Sequence, residues 1–129
     1  MAGFPDLVPA AQPAYYGDGV SAKVTEGATW RFEFTNVNDD AGDPINLTSA
    51  TCTAVVLDDG GTQVVALDFT GSTGSFVLSA TAANTAGLAA GTSATAGRRC
   101  KWTCRLSSAG NVVQVWGPSN SPFIIFADD

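Results

Sequence analysis

The chain reads as an all-β protein, an antiparallel β-sandwich of about seven to eight short strands behind an extended N-terminal arm. Three observations carry that reading. Apolar residues alternate with polar ones at period two from residue 28 onward, and β-branched and aromatic types fill the apolar positions. Gly and Asx clusters cut the alternating runs into short lengths. No stretch holds a helical period for longer than one turn. At 129 residues, with 45% hydrophobic and 14% charged residues, the chain has the material for one buried core and lies far from disordered composition.

The strands follow in order. In Thr29 to Thr35, Trp30, Phe32 and Phe34 share one face while Arg31 and Glu33 take the other. A turn cluster from Asn38 to Pro44 leads through Ile45 to Thr48 into a second strand, Ala50 to Leu57, which ends at Asp58-Asp59-Gly60-Gly61. Gln63 to Phe69 returns from that turn as the other arm of a hairpin. Gly74 to Ser79 is a fourth strand, with Phe76 and Leu78 on one side. From Ala80 to Gly91 alanines and glycines interrupt the pattern and leave room for one short helical turn. Arg98 to Ser107 is the most regular strand: Cys100, Trp102, Cys104 and Leu106 alternate with Arg99, Lys101, Thr103 and Arg105. Val112 to Trp116 and Phe123 to Phe126 complete the set. Alternation does not separate a sandwich from a closed barrel.

Residues 1–22 form a separate segment ahead of a sandwich domain at 23–129. Pro5, Pro9 and Pro13 deny it helix and ladder hydrogen bonds, so it is expected to run extended. Phe4, Leu7, Val8, Tyr15 and Tyr16 are poor residues for a solvated linker. The arm therefore either packs on its own domain or lies on a neighbouring subunit, which 20 extended residues reach over about 60 Å.

Composition narrows the chemistry. Twelve acidic against six basic residues give a net charge of −6, which works against a nucleic-acid partner. No apolar run is long enough to span a membrane, and the first residues lack the pattern of a secretory signal, so synthesis in the cytoplasm is expected. The chain contains no histidine, which removes the commonest general base and metal ligand. No enzymatic activity, cofactor or metal is expected. Three cysteines do not make a structural zinc set. Cys100 and Cys104, on one strand, lie about 13 Å apart, so only Cys52 is able to pair with either. Acidic clusters at Asp39-Asp40-x-x-Asp43 and Asp58-Asp59 admit a calcium site, but their place beside glycines points to turn chemistry.

Arg98, Arg99, Lys101 and Arg105 place four of the six cations within eight positions. Arg99, Lys101 and Arg105 project from one polar strand face. They serve either cross-strand ion pairs with acids such as Asp58, Asp59 or Asp68, or contact with the acidic face of another subunit.

Several short motifs carry a resemblance. Trp30-x-Phe32-x-Phe34-Thr35 is followed by Asp40-Ala41-Gly42-Asp43-Pro44-Ile45-Asn46-Leu47-Thr48, by Gly74-Ser75-Phe76-Val77-Leu78, by Thr85-Ala86-Gly87-Leu88-Ala89-Ala90-Gly91, and by the Trp102 strand with Gly110-Asn111-Val112-Val113. Over residues 28–126 this layout resembles the β-sandwich domains of tailed-phage structural proteins, namely the N-terminal domain of baseplate upper proteins and the sandwich of actinobacteriophage minor tail proteins. The resemblance implies a non-enzymatic virion subunit, a minor tail or baseplate-associated protein made in the host cytoplasm. Its partners would be other phage structural proteins and copies of itself, as a homo-oligomer in a symmetric assembly. Phe4, Leu7, Val8, Tyr15, Tyr16, Arg99, Lys101 and Arg105 are the expected subunit contacts. A capsid decoration protein is the first alternative, and a carbohydrate- or protein-binding sandwich module the second. With no counterpart in this sequence of the long C-terminal receptor-binding extension of baseplate proteins, a receptor-binding role is not expected.

Overall fold

The computed structural model of the chain describes residues 6–8, 14–16, 19–39, 41–89, 97–117 and 121–127. Among them are eleven strands: β1 Asp6–Val8, β2 Ala14–Tyr16, β3 Gly19–Thr25, β4 Trp30–Thr35, β5 Thr51–Leu57, β6 Gln63–Ala66, β7 Asp68–Ser72, β8 Ser75–Ala80, β9 Arg98–Ser108, β10 Asn111–Trp116 and β11 Pro122–Phe126. One helical turn, α1 Ala82–Thr85, falls in the alanine-rich interruption. The strands form two sheets with separate edges. The smaller runs β1-β4-β8-β7; the larger runs β2-β3-β11-β9-β5-β6, with β10 also on β9. The architecture is therefore a sandwich and not a barrel.

The inward-facing residues explain why the two layers hold together. Trp30, Phe32 and Phe34 on β4, Phe76 and Leu78 on β8, Trp102 and Leu106 on β9, and Phe123 and Ile125 on β11 are all buried. Phe34 lies opposite Phe76 in the β4–β8 ladder, and their rings stack at 4.7 Å. Trp102 is the hub between layers, with ring centroids 5.1 Å from Phe32, 5.1 Å from Phe123 and 5.0 Å from Trp116. Burial of each such side chain contributes about 1.5–3 kcal/mol, and each aromatic contact adds about 0.5–1.5.

Three features depart from the sequence expectations. The run from Gln63 to Phe69 is not one hairpin arm. Its first half pairs with β5 as expected, and Leu67 then donates its amide to the Ala54 carbonyl. Beyond Leu67 the chain crosses to the smaller sheet, where Phe69 lies opposite Leu78. Period two assigns a residue to a face but not to a sheet, so the crossing is invisible in the pattern.

Secondly, β3 and β11 are parallel, with Ala22 opposite Phe123 and Val24 opposite Ile125, within an otherwise antiparallel set of pairs. Thirdly, the Pro-rich segment takes part in ladders where it is described. β1 pairs with β4 and β2 pairs with β3, because the residues between the prolines are free to donate. The boundary expected between residues 22 and 23 falls inside β3, where Ala22 is a core residue.

The segment after the first acidic turn combines a glycine turn with a core plug. Gly42 adopts a φ of +88°, and Leu47 is fully buried. Leu47 also receives close backbone contact: a Cβ on Gly71 would stand 2.0 Å from the Leu47 carbonyl oxygen, so β7 needs glycine there.

Candidate functional site

Strand β9 organises the outer face of the larger sheet. Its inward positions, Cys100, Trp102, Cys104 and Leu106, are buried, which forces Arg99, Lys101, Thr103 and Arg105 outward. Spaced two residues apart, successive outward positions are about 6.6 Å from one another. Arg99 sits beside Ile124 of β11, Lys101 between Pro122 and Leu57, and Arg105 between Thr53 of β5 and Val115 of β10. Val115 is the one large hydrophobic exposed among the described residues, at 42%.

The topology adds a cation that strand-by-strand reading leaves out. The parallel register places Lys23 opposite Ile124, itself opposite Arg99, while Ala22 and Val24 point into the core. Lys23 is exposed and lies two strands from Arg99, roughly 10 Å away. Four of the six cations thus share one sheet face. Among the described residues, no Asp or Glu projects from that face of β3, β11, β9, β5 or β6.

Local neutralisation is partial. Arg98, at the start of β9, reaches Asp58 at 4.0 Å and donates to the Leu88 carbonyl at 2.8 Å. Lys101 donates to the backbone carbonyl of Asp59 at 3.5 Å. Arg99 and Arg105 are exposed and make no ion pair among the described residues. Asp68 does not serve as a partner, because the crossing at Leu67 carries it into the other sheet. Of the two sequence readings, ion pairing therefore accounts for Arg98 and leaves Arg99 and Arg105 without an acidic partner among the described residues.

The arm residues are distributed differently. Phe4 lies outside the described residues. Leu7 and Val8 belong to β1, an edge of the smaller sheet, and pair with Phe34 and Glu33. Tyr15 and Tyr16 belong to β2, an edge of the larger sheet, and pair with Val20 and Gly19. The backbone of these four residues is thus bonded within its own chain, and the structure does not bring them to the cationic face as one cluster.

The acidic turns repay comparison, because they are built alike. In one, the Asp39 carboxylate accepts from the amides of Ala41 and Asp43 at 3.0 and 2.9 Å. In the other, the Asp58 carboxylate accepts from Gly60 and Thr62, both at 2.9 Å. Each turn has glycine three residues after the aspartate, Gly42 at φ +88° and Gly61 at φ +87°. These carboxylates are engaged in holding turns, which is the role their neighbouring glycines suggested. Among the described residues no group of three His, Cys, Asp or Glu is arranged to hold a metal ion. All three tryptophans are buried, so none offers a ring for stacking on a sugar.

No protein-family model matches the chain, and no curated protein matches it. Among solved structures, the Lin-41 filamin domain is similar at 13% identity with a TM-score of 0.45, covering 95% of this chain and 97% of that one. The first immunoglobulin domain of the ZIG-8 homodimer is similar at 8% identity with a TM-score of 0.35, covering 93% and 90%. The sandwich assignment rests on the strand pairing of the chain itself.

Proposed function

We propose that this chain is a non-enzymatic assembly module that docks an acidic protein surface onto the outer face of its larger sheet. The observation that carries the reading is the collection of Lys23, Arg99, Lys101 and Arg105 on one sheet face, free of acids among the described residues, of a chain whose net charge is −6. Half-buried Ile124, Val55 and Leu57 and exposed Val115 stand between the cations. An apolar patch interleaved with arginine suits a protein partner. Charge complementarity would set the register of docking and speed encounter.

The assembly we propose is a phage virion, with the chain as a minor tail or baseplate-associated subunit. Support for this finer reading comes from the motif layout over residues 28–126 and from the absence of histidine-based chemistry. Edge strands β1 and β2, with Leu7, Val8, Tyr15 and Tyr16, supply a second contact. Such edges add a neighbouring chain by strand pairing.

The test is incorporation. Particles are assembled with a tagged chain carrying K101E and R105E, and occupancy is quantified by mass spectrometry of purified virions. The double reversal should lower occupancy at least tenfold while the isolated protein keeps its melting temperature. Full occupancy of the reversed chain would refute the cationic face as the docking surface. Absence of even the wild-type chain from particles would refute the virion reading and leave the face to be assayed against other acidic partners.

A further inference from the structure

The cysteines of the larger sheet are not equivalent. Cys52, at the start of β5, is opposite Leu106, and Cys104 is opposite Ala54. The two cysteines are thus diagonal neighbours on adjacent antiparallel strands, and their sulfurs stand 3.7 Å apart. Cys104 is buried, whereas Cys52 is half-buried. Cys100 is on the same strand as Cys104, four residues earlier, and is buried without a thiol neighbour.

We propose that Cys52 and Cys104 are a modification site, a dithiol pair that reacts with a small-molecule disulfide and closes to a bond between β5 and β9. The geometry divides the work. Cys52 is the less buried partner and Cys104 the more enclosed one. The thiol of Cys104 stabilises a thiolate on Cys52 by hydrogen bonding, which lowers the pKa of Cys52 against the opposing effect of its burial. The same contact, with burial, raises that of Cys104. Burial also raises Cys100, more than the charge of Arg98 lowers it. A thiolate is the attacking species, so Cys52 reacts first.

The small disulfide is the oxidant, and the reaction balances with it alone. The Cys52 thiolate attacks one sulfur of the small disulfide, whose S–S bond breaks and releases one thiolate to be protonated. Cys104 then loses its proton and attacks the Cys52 sulfur, displacing the second small thiol. Two protein thiols give up two electrons and two protons, and one small disulfide becomes two thiols. The sulfurs close from 3.7 Å to about 2.05 Å. This inference rests on the thiols of β5 and β9 and is independent of the assembly reading.

The experiment uses the full chain, reduced and then exposed to oxidised glutathione without denaturant. Intact mass, thiol titration and peptide mapping follow its course. Cys52 should acquire the first adduct about tenfold faster than Cys100. The product should be lighter by two hydrogens, with Cys52 joined to Cys104 and Cys100 the only free thiol. C100A should give the same linkage, and C104A should stop at a stable glutathione adduct on Cys52. A folded wild-type chain that retained all three thiols, stopped at the adduct, or joined Cys100 instead would overturn the proposal.

Discussion

The two faces of β9 are made from alternate residues of one strand, yet they answer to different demands. Inward, Trp102 touches aromatic rings from β4, β10 and β11 and is fully buried. Outward, Arg99 and Arg105 stand exposed and without ion pairs among the described residues. The inner face pins the layers together, and the outer face is free to vary in charge without loosening them. A strand so divided can be altered for stability or for recognition separately, because successive side chains never share an environment.

That separation is open to measurement. Trp102→Ala should be the most damaging change, costing about 4 kcal/mol in denaturant unfolding, since it empties the joint between layers. Gly71→Ala should cost about 3 kcal/mol, because a new Cβ meets the Leu47 backbone, which cannot swing aside, as well as the Phe69 ring. If G71A were neutral, the close approach of β7 to Leu47 would be wrong. Asp39→Ala should cost about 1 kcal/mol, as it removes one carboxylate that accepts from two turn amides, and Asp58→Ala should cost that or slightly more, as it also removes the Arg98 pair. A smaller loss at Asp58 than at Asp39 would break the equivalence of the two turns. Charge reversal at Lys101 and Arg105 should move stability by about 0.5 kcal/mol or less. A larger loss would show that the outer face supports the fold as well.

A smaller contrast sharpens the inner face. The Nε1 of Trp30 donates to the Thr25 carbonyl at 2.8 Å, while that of Trp116 is buried with no partner among the described residues. Trp116→Phe removes an unpaired donor along with some volume, whereas Trp30→Phe removes a made hydrogen bond. The Trp116 variant should therefore be the milder of the two by about 1 kcal/mol in thermal or denaturant unfolding.

How much of this was legible beforehand depends on whether neighbours along the chain or across the sheet decide the feature. The strand Arg98 to Ser107, its two faces and the single helical turn near Ala82 follow from local pattern, and the structure has them. The turn role of Asp39 and Asp58 was readable from the glycines beside them. Lys23 was not readable as part of the cationic face, because only the parallel pairing of β3 with β11 brings it there. The crossing at Leu67 was hidden for the same reason: alternation continues unbroken through a change of sheet. The Cys52–Cys104 contact was half visible. Spacing excluded Cys100 with Cys104, but choosing a partner for Cys52 required the β5–β9 register.

The parallel pair also has a kinetic meaning. Ala22 and Phe123 are about a hundred residues apart along the chain yet directly opposed in the sheet. Moreover β11 is an interior strand, with β3 on one side and β9 on the other. During synthesis β3 emerges long before the strand it must lie against, and until β11 arrives its inward residues Ala22 and Val24 have lost their neighbour. Loop closure over that span is slow compared with the local hairpins. The larger sheet is therefore finished last at its middle and not at its rim, and a ribosome-bound chain lacking β11 should remain sensitive to protease at β3 however well β4 and β8 have already paired.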